Sequence, residues 1–299
     1  MPTPLRIREL LMTAPMPTER TEPDPPQELR PPLKWAGGKR WLVPHIRPLW
    51  EAAGMPRLVE PFCGGLAIPL ALRPARALLN DINPHLIHFY RWLQRGLEIR
   101  IPMENDPELY YAHRARFNHL IRSGQEESLE AVSLFYYLNR TGYNGLCRFN
   151  KRGEFNVPMG RYKRIRYRRD FTAYRPVLAS WTFRWGDFEK LRLEPTDFLY
   201  ADPPYDVPFR QYTKDGFAWE DQIRLAEWLA RHPGPVVASN QATARILALY
   251  RGLGFQVQIL DGPRRIACTG DRSPAQEILA LRNIPGEGTS PTRPSGGAG

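Results

Sequence analysis

Cysteine is scarce: the 299 residues hold three, Cys63, Cys147 and Cys268, and no Cys-x-x-Cys pair. An odd, widely spaced set excludes a disulfide framework and the common cysteine zinc sites. The histidine pairs His85/His88 and His113/His119 lack carboxylates at metal-ligand spacing. They are expected on helix surfaces, and no metal is expected. No apolar run approaches the roughly 20 residues of a membrane span. The first thirty residues, rich in Pro, Thr and Glu, lack the apolar centre of a signal peptide. A reducing, cytoplasmic setting without a membrane partner follows as the expectation. Internal repeats are missing, as are the full Gly-x-Gly-x-x-Gly and Gly-x-x-x-x-Gly-Lys-Ser/Thr phosphate loops.

What is present is basic. The formal net charge is +11, with 42 Lys and Arg against 31 Asp and Glu, and arginine far outnumbers lysine. Such a balance favours a polyanionic partner, and guanidinium groups suit bidentate contacts to phosphate and guanine. Hydrophobic residues at 42% suffice for a substantial core.

Residues 1–30 and 285–299, rich in Pro, Gly, Thr and Ser, read as disordered tails. Between them short apolar runs alternate with helical patterns. Strands are expected at Leu58–Pro61, Ala77–Leu79, Phe198–Tyr200, Pro235–Ala238, Phe255–Ile259 and Ile278–Leu281, and helices near 39–52, 65–72, 84–97, 219–231 and 241–250. This alternation predicts an α/β fold with a doubly wound, mostly parallel sheet. Residues 84–177 break the pattern with helical stretches and a loop, Thr141 to Tyr162, rich in Gly, Asn, Arg and aromatics. They read as a helical insertion between sheet segments 31–83 and 178–284.

The most informative stretch is Asp202-Pro203-Pro204-Tyr205, directly after the apolar run Phe198–Ala201. Chemistry in open α/β sheets sits beyond the carboxyl ends of the strands. There a carboxylate can accept from an exocyclic amine, two prolines make a rigid turn poor in donors, and a tyrosine offers a face for a planar base. Two further turns bear on a ligand. Glu60-Pro61-Phe62-Cys63-Gly64-Gly65 runs from a strand into a glycine turn and then a helix, where backbone can approach a carboxylate. Asn80-Asp81 ends the second strand, where an acidic side chain can hold ribose hydroxyls. Together they favour an adenosine-bearing ligand without pyrophosphate, which S-adenosylmethionine fits.

These segments, with Lys34-Trp35-Ala36-Gly37-Gly38-Lys39, Asn139 to Asn150, Phe155 to Tyr162, Ser239-Asn240 and the stretch around Arg265 to Arg282, occur in one order along the chain. In that order the chain resembles the Dam family of DNA adenine-N6 methyltransferases. The resemblance implies a Rossmann-like S-adenosylmethionine-dependent methyltransferase sheet, with the helical insertion recognising the target. It implies that Trp35, Lys39, Phe62, Gly64, Asp81 and Asp202 line the cofactor site. Asp202, Pro203, Pro204 and Tyr205 would hold an adenine turned out of duplex DNA, with GATC as the default site. Lys34, Arg140, Tyr143, Asn144, Leu146, Arg148, Asn150, Pro158 and Arg161 would contact DNA, with Arg164 to Arg169 as a phosphate-facing stripe. Leu66 departs from the family, which usually has a small residue there.

The amine of adenine is a poor nucleophile because its lone pair is delocalised. Hydrogen bonds to the Asp202 carboxylate and the Pro203 carbonyl would favour a pyramidal nitrogen, so positioning and electrostatics carry the transfer. The Pro-Cys pair of cytosine-C5 enzymes is missing. Methylation of RNA or of a protein amide is the alternative within this chemistry, although glutamine methyltransferases usually carry Asn at the place of Asp202. A non-catalytic DNA-binding relative is the alternative outside it. A bacterial or phage origin is implied; a cognate restriction endonuclease is a candidate partner, and no obligate protein partner is expected.

Overall fold

The computed structural model describes residues 29–206, 217–262 and 276–285. The tail segments 1–28 and 286–299, Cys268, and the part of the Arg265 to Arg282 stretch before Gln276 lie outside the described residues. Leu29, assigned to the tail by composition, is buried, and the carbonyl of Arg30 accepts from Tyr174 Oη at 2.5 Å.

A seven-stranded sheet carries the molecule: β1 (Leu58–Glu60), β2 (Ala77–Asp81), β3 (Trp181–Trp185), β4 (Phe198–Ala201), β5 (Val236–Gln241), β6 (Gln256–Asp261) and β7 (Gln276–Arg282). The spatial order is β3-β2-β1-β4-β5-β7-β6. Neighbours from β3 to β5 pair parallel, while β7 runs antiparallel to both β5 and β6. The order reverses between β1 and β4, and at such a switch point the chain ends of both strands open a crevice. Glu60 and Asp202 emerge on its two sides.

Side chains alternate across the strands, so each face has its own core. Leu58, Leu79, Phe198, Tyr200, Val237 and Leu279 face one cluster; Val59, Leu78, Leu199, Ala201, Val236 and Ile278 face the other. Helices α7 (Trp219–Ala230) and α8 (Ala244–Gly252) cover the second face through Leu225, Leu229, Ile246 and Tyr250. The first face is covered by α1 (Val43–Ala52), α2 (Ala67–Leu72) and α3 (Pro84–Arg95). This is a doubly wound α/β fold.

Helices α4 (Pro107–Arg122), α5 (Leu129–Thr141) and the short α6 (Arg175–Leu178) follow α3. Their cores are continuous with the sheet: Phe117, Phe135 and Phe171 belong to the same buried cluster as Leu79 and Phe183. Helices α3, α4 and α5 each start at a side-chain cap. Asn83, Asp106 and Ser128 accept from backbone N–H groups of the first turns of α3, α4 and α5, and Pro84 and Pro107 sit where no N–H is needed.

One strand adds to the sequence expectations and one expectation is corrected. β3 was not foreseen, because Trp181-Thr182-Phe183-Arg184-Trp185 alternates buried and exposed as an edge strand does, rather than forming a continuous apolar run. His85 and His88 are not on a helix surface: they are 7% and 3% exposed. His85 stacks on Phe149 (centroids 4.8 Å, 19°) and meets Phe117 edge-on at 5.2 Å. Burial pushes its imidazole down to about 4, with His88 adding in the same direction.

Candidate active site

Asp202, Pro203, Pro204 and Tyr205 leave β4 as a turn braced from three sides. Ser239 of β5 donates to Asp202 Oδ1 at 2.7 Å and lies 3.1 Å from the hydroxyl of Tyr200. Gln222 of α7 donates to the Pro204 carbonyl at 2.8 Å, and buried Asn240 donates to Gln222 Oε1 at 2.9 Å. Lys39, only 4% exposed, brings its ammonium 3.8 Å from Asp202 Oδ1 and 3.0 Å from Glu277 Oε2. The same ammonium lies 4.1 Å above the ring of Tyr205, whose hydroxyl donates to Glu277. A carboxylate, an aromatic face and a buried cation therefore converge where β4 and β5 end and β7 begins.

Across the crevice, Glu60 is buried and its Oε1 has no hydrogen-bond partner among the described residues. Burial, with the Asp202 charge nearby, drives its carboxyl well above the usual range. The glycine turn follows. Gly64 has φ +43°, and a Cβ there would stand 2.9 Å from Trp35 Nε1; one on Gly65 would stand 2.9 Å from Trp35 Cβ. The pair of glycines is thus needed so that the indole can lie on the turn. Leu66 next to it adopts a left-handed backbone (φ 61°, ψ 31°) and is fully buried. That conformation costs a non-glycine residue on the order of 1 kcal/mol, offset by burying a leucine, worth roughly 1.5–3 kcal/mol.

Asp81 closes the turn. One carboxylate oxygen accepts from Gly64 N at 3.1 Å and the other from Asn83 N at 3.0 Å. Burial raises its pKa to about 6, against the pull of these backbone donors. Beside it Ile82 is 70% exposed and Trp185 55% exposed, two apolar side chains at the carboxyl ends of β2 and β3. Phe62 packs its ring on Phe188 and Phe217 at 5.7 and 5.5 Å.

The segment after α5 folds back on itself through bridges Gly142–Met159 and Phe149–Phe155. Tyr143 and Leu146 are exposed, and Asn144 takes a left-handed conformation (φ 52°). The Pro158 carbonyl accepts from Tyr143 N at 2.9 Å. Exposed Arg148 is held by Asn156 Oδ1 at 2.8 Å. Asn150 turns inward: its Oδ1 accepts from Arg152 N and Glu154 N, at 2.9 and 3.0 Å, and its amide donates to Glu154 at 3.1 Å. Lys34 lies over the ring of Tyr162 at 3.8 Å and donates to the Arg140 carbonyl at 2.7 Å. Its backbone exchanges two 2.8 Å hydrogen bonds with the Asn139 amide, tying the lysine–tryptophan loop to the end of α5. Beyond it Arg161, Lys163, Arg164 and Arg166 are exposed and alternate with half-buried Tyr162, Ile165 and Tyr167.

A sequence model of the D12 class of N6 adenine-specific DNA methyltransferases matches residues 35–264. The chain belongs to that family. It is 35% identical over 263 residues to the retron Ec67 DNA adenine methylase of Escherichia coli, covering 83% of this chain and 90% of the relative. Identity to the DNA adenine methylase of Vibrio cholerae serotype O1 is 36% over 271 residues, 83% of this chain and 94% of the relative. The DNA adenine methylase of Escherichia coli strain K12 is 35% identical over 272 residues, with the same coverage, 83% and 94%.

For a D12-class methyltransferase the geometry sorts the residues singled out in the sequence. Asp202, Pro203, Pro204 and Tyr205 form one turn with Lys39 packed against it, and Trp35, Gly64 and Asp81 form the neighbouring turn. Phe62 is half-buried behind that turn, against other rings. Arg140, Tyr143, Asn144, Leu146, Arg148, Asn150, Pro158 and Arg161 all lie on one folded-back segment or at its base, and Lys34 packs against that base. Asn150 and Lys34 have their polar groups occupied within the fold, and Phe149 is stacked on His85 rather than displayed. Residues the sequence did not single out are Glu277, Ser239 as partner of Asp202, Ile82 and Trp185. The signal for Ser239 was its place in Ser239-Asn240 at the end of an apolar strand. For Glu277 it was a carboxylate inside the apolar run of β7.

Proposed function

We propose that this DNA adenine methyltransferase takes its methyl group from S-adenosylmethionine and transfers it to N6 of an adenine turned out of duplex DNA, with GATC as the site. The observation that carries the reading is the convergence of Asp202, held by Ser239, with the Tyr205 ring and Lys39 at the switch point of the sheet.

The residues on the opposite wall fit the donor. Asp81 retains acceptor capacity beyond its backbone contacts to Gly64, Ile82 and Asn83, since each carboxylate oxygen has two lone pairs. Ribose hydroxyls satisfy that capacity, and exposed Ile82 offers an apolar face beside it for adenine. When bound, the cofactor supplies an electrophilic methyl group on a sulfonium.

The chain's own work is positioning. Ser239 fixes Asp202 Oδ1, so the carboxylate presents a set acceptor direction to the amine of the target base. Accepting an N6 proton there localises the nitrogen lone pair and receives the proton that the amine must lose after transfer. The Pro203 carbonyl is the second acceptor in this reading. Tyr205 supplies the stacking face, and extrusion of the base from the duplex is the cost that stacking offsets. The folded-back segment supplies exposed Tyr143 and Leu146 for the space left behind. Arg148 and Arg161 supply guanidinium groups for guanine or phosphate.

The test supplies labelled S-adenosylmethionine with plasmid DNA, RNA and protein together, then probes the DNA with methylation-sensitive cleavage at GATC. Label confined to DNA, with cleavage changed at GATC, is the expected result. Label in RNA or protein overturns the substrate, and label in DNA with GATC unmodified overturns the site.

A further inference from the structure

We infer that Glu277 is a positioning residue of the base pocket: it holds the Tyr205 ring in place and keeps Lys39 from closing on Asp202. The inference rests on the reading that Asp202 and Tyr205 hold the target adenine.

Glu277 comes from β7, the antiparallel strand of the sheet. Parallel strands deliver side chains to the site from their carboxyl ends; β7 delivers its second residue, because its amino end lies there. Register places Glu277 opposite Gln241 at the end of β5 and Leu260 of β6. At 7% exposure a carboxylate there is costly unless paired.

Its pairing is specific. A single oxygen, Oε2, accepts from Lys39 Nζ at 3.0 Å and from the Tyr205 hydroxyl. Tyr205 is thereby anchored at its far end, so the ring cannot swing about its Cβ. Lys39 lies 0.8 Å nearer to Glu277 than to Asp202, by the two distances 3.0 and 3.8 Å. Without Glu277 the buried ammonium has Asp202 as its remaining anion among these two. Closing that gap fills the acceptor positions that an incoming amine needs.

The experiment measures single-turnover methylation of a GATC duplex at saturating DNA and cofactor, with KM for DNA and the melting temperature in parallel. E277A should slow the step on the order of 10²-fold, the scale of misplacement by about an ångström, and leave KM for DNA within about twofold. E277Q retains an acceptor oxygen and should recover to within about tenfold of the unaltered protein. Y205F removes the anchored hydroxyl, and because E277Q weakens and Y205F abolishes the same contact, E277Q/Y205F should lose less than the product of the single losses. This double-mutant cycle carries the test if E277A fails to fold. Unaltered turnover in E277A, a loss confined to KM, or independent multiplicative losses in the cycle would overturn the inference. D202A in the same assay separates the two readings: inactive D202A beside fully active E277A removes only the role of Glu277, whereas active D202A removes the pocket reading itself.

Discussion

Replacing His85 by Phe should make the protein resistant to mild acid. The imidazole is buried against Phe149 and Phe117, its Nδ1 has no hydrogen-bond partner among the described residues, and burial lowers its pKa from 6.5 to about 4. Between these values the unfolded chain binds a proton that the folded chain refuses, so stability falls as pH drops through this range and levels near 4. The full difference is about 3 kcal/mol. At pH 5 linkage removes about 2 kcal/mol, and at pH 7.5 less than about 0.1 kcal/mol. Phenylalanine preserves a ring for Phe149 and carries no proton. His88 and Asp81 titrate in both proteins and largely cancel in the comparison. Urea unfolding of H85F and the unaltered protein, each at pH 7.5 and 5.0, isolates the effect. The stability of H85F relative to its parent should rise by about 2 kcal/mol between the two pH values. An unchanged difference would refute the burial argument. Since Phe149 lies in the folded-back segment, the parent should also lose DNA affinity in acid sooner than H85F does.

Cofactor affinity should itself depend on pH, because Asp81 must be ionised to accept ribose hydroxyls fully and its pKa is raised to about 6. Affinity measured by calorimetry should rise from pH 5 to 7; a flat profile contradicts the role of Asp81. Its contribution to stability has the opposite sense: the folded carboxyl binds its proton more tightly than the unfolded one, so stability from this group declines as pH rises from about 4 to about 6 and is flat above. Asn150→Ala should lower the melting temperature and weaken DNA binding evenly across sequences, since its side chain caps a turn. Loss of discrimination at one base pair alone, measured by competition among altered duplexes, would instead make Asn150 a base reader.

The sheet was largely legible because its interior strands are short apolar runs. Phe198–Ala201 and Val236–Ala238 are buried on both faces and read as such. β3 escaped because an edge strand exposes alternate residues, leaving Thr182 and Arg184 among the aromatics. The pocket's parallel wall was legible for the same reason: Asp202 follows an apolar run directly. Glu277 was not, because strand polarity, which decides whether a strand's first or last residues reach the site, is set by partners distant in sequence. Lys39 and Glu277 are 238 residues apart, and only register brings them together. Within the folded-back segment composition signalled the surface but not which side chains face out. Asn150 and Phe149 belong to residue types that read or replace bases, yet local turn bonds and the His85 ring claim them.

The measurement closest to the central claim is methyl transfer by Asp202→Ala, with DNA retention measured on the same preparation. Ser239 and Lys39 both converge on Asp202, whereas the exposed basic and aromatic groups of the folded-back segment lie elsewhere on the chain. Labelled methyl transfer to adenine should disappear while duplex affinity stays within a few-fold of the parent. Transfer at the parent's rate by that variant would contradict the central claim.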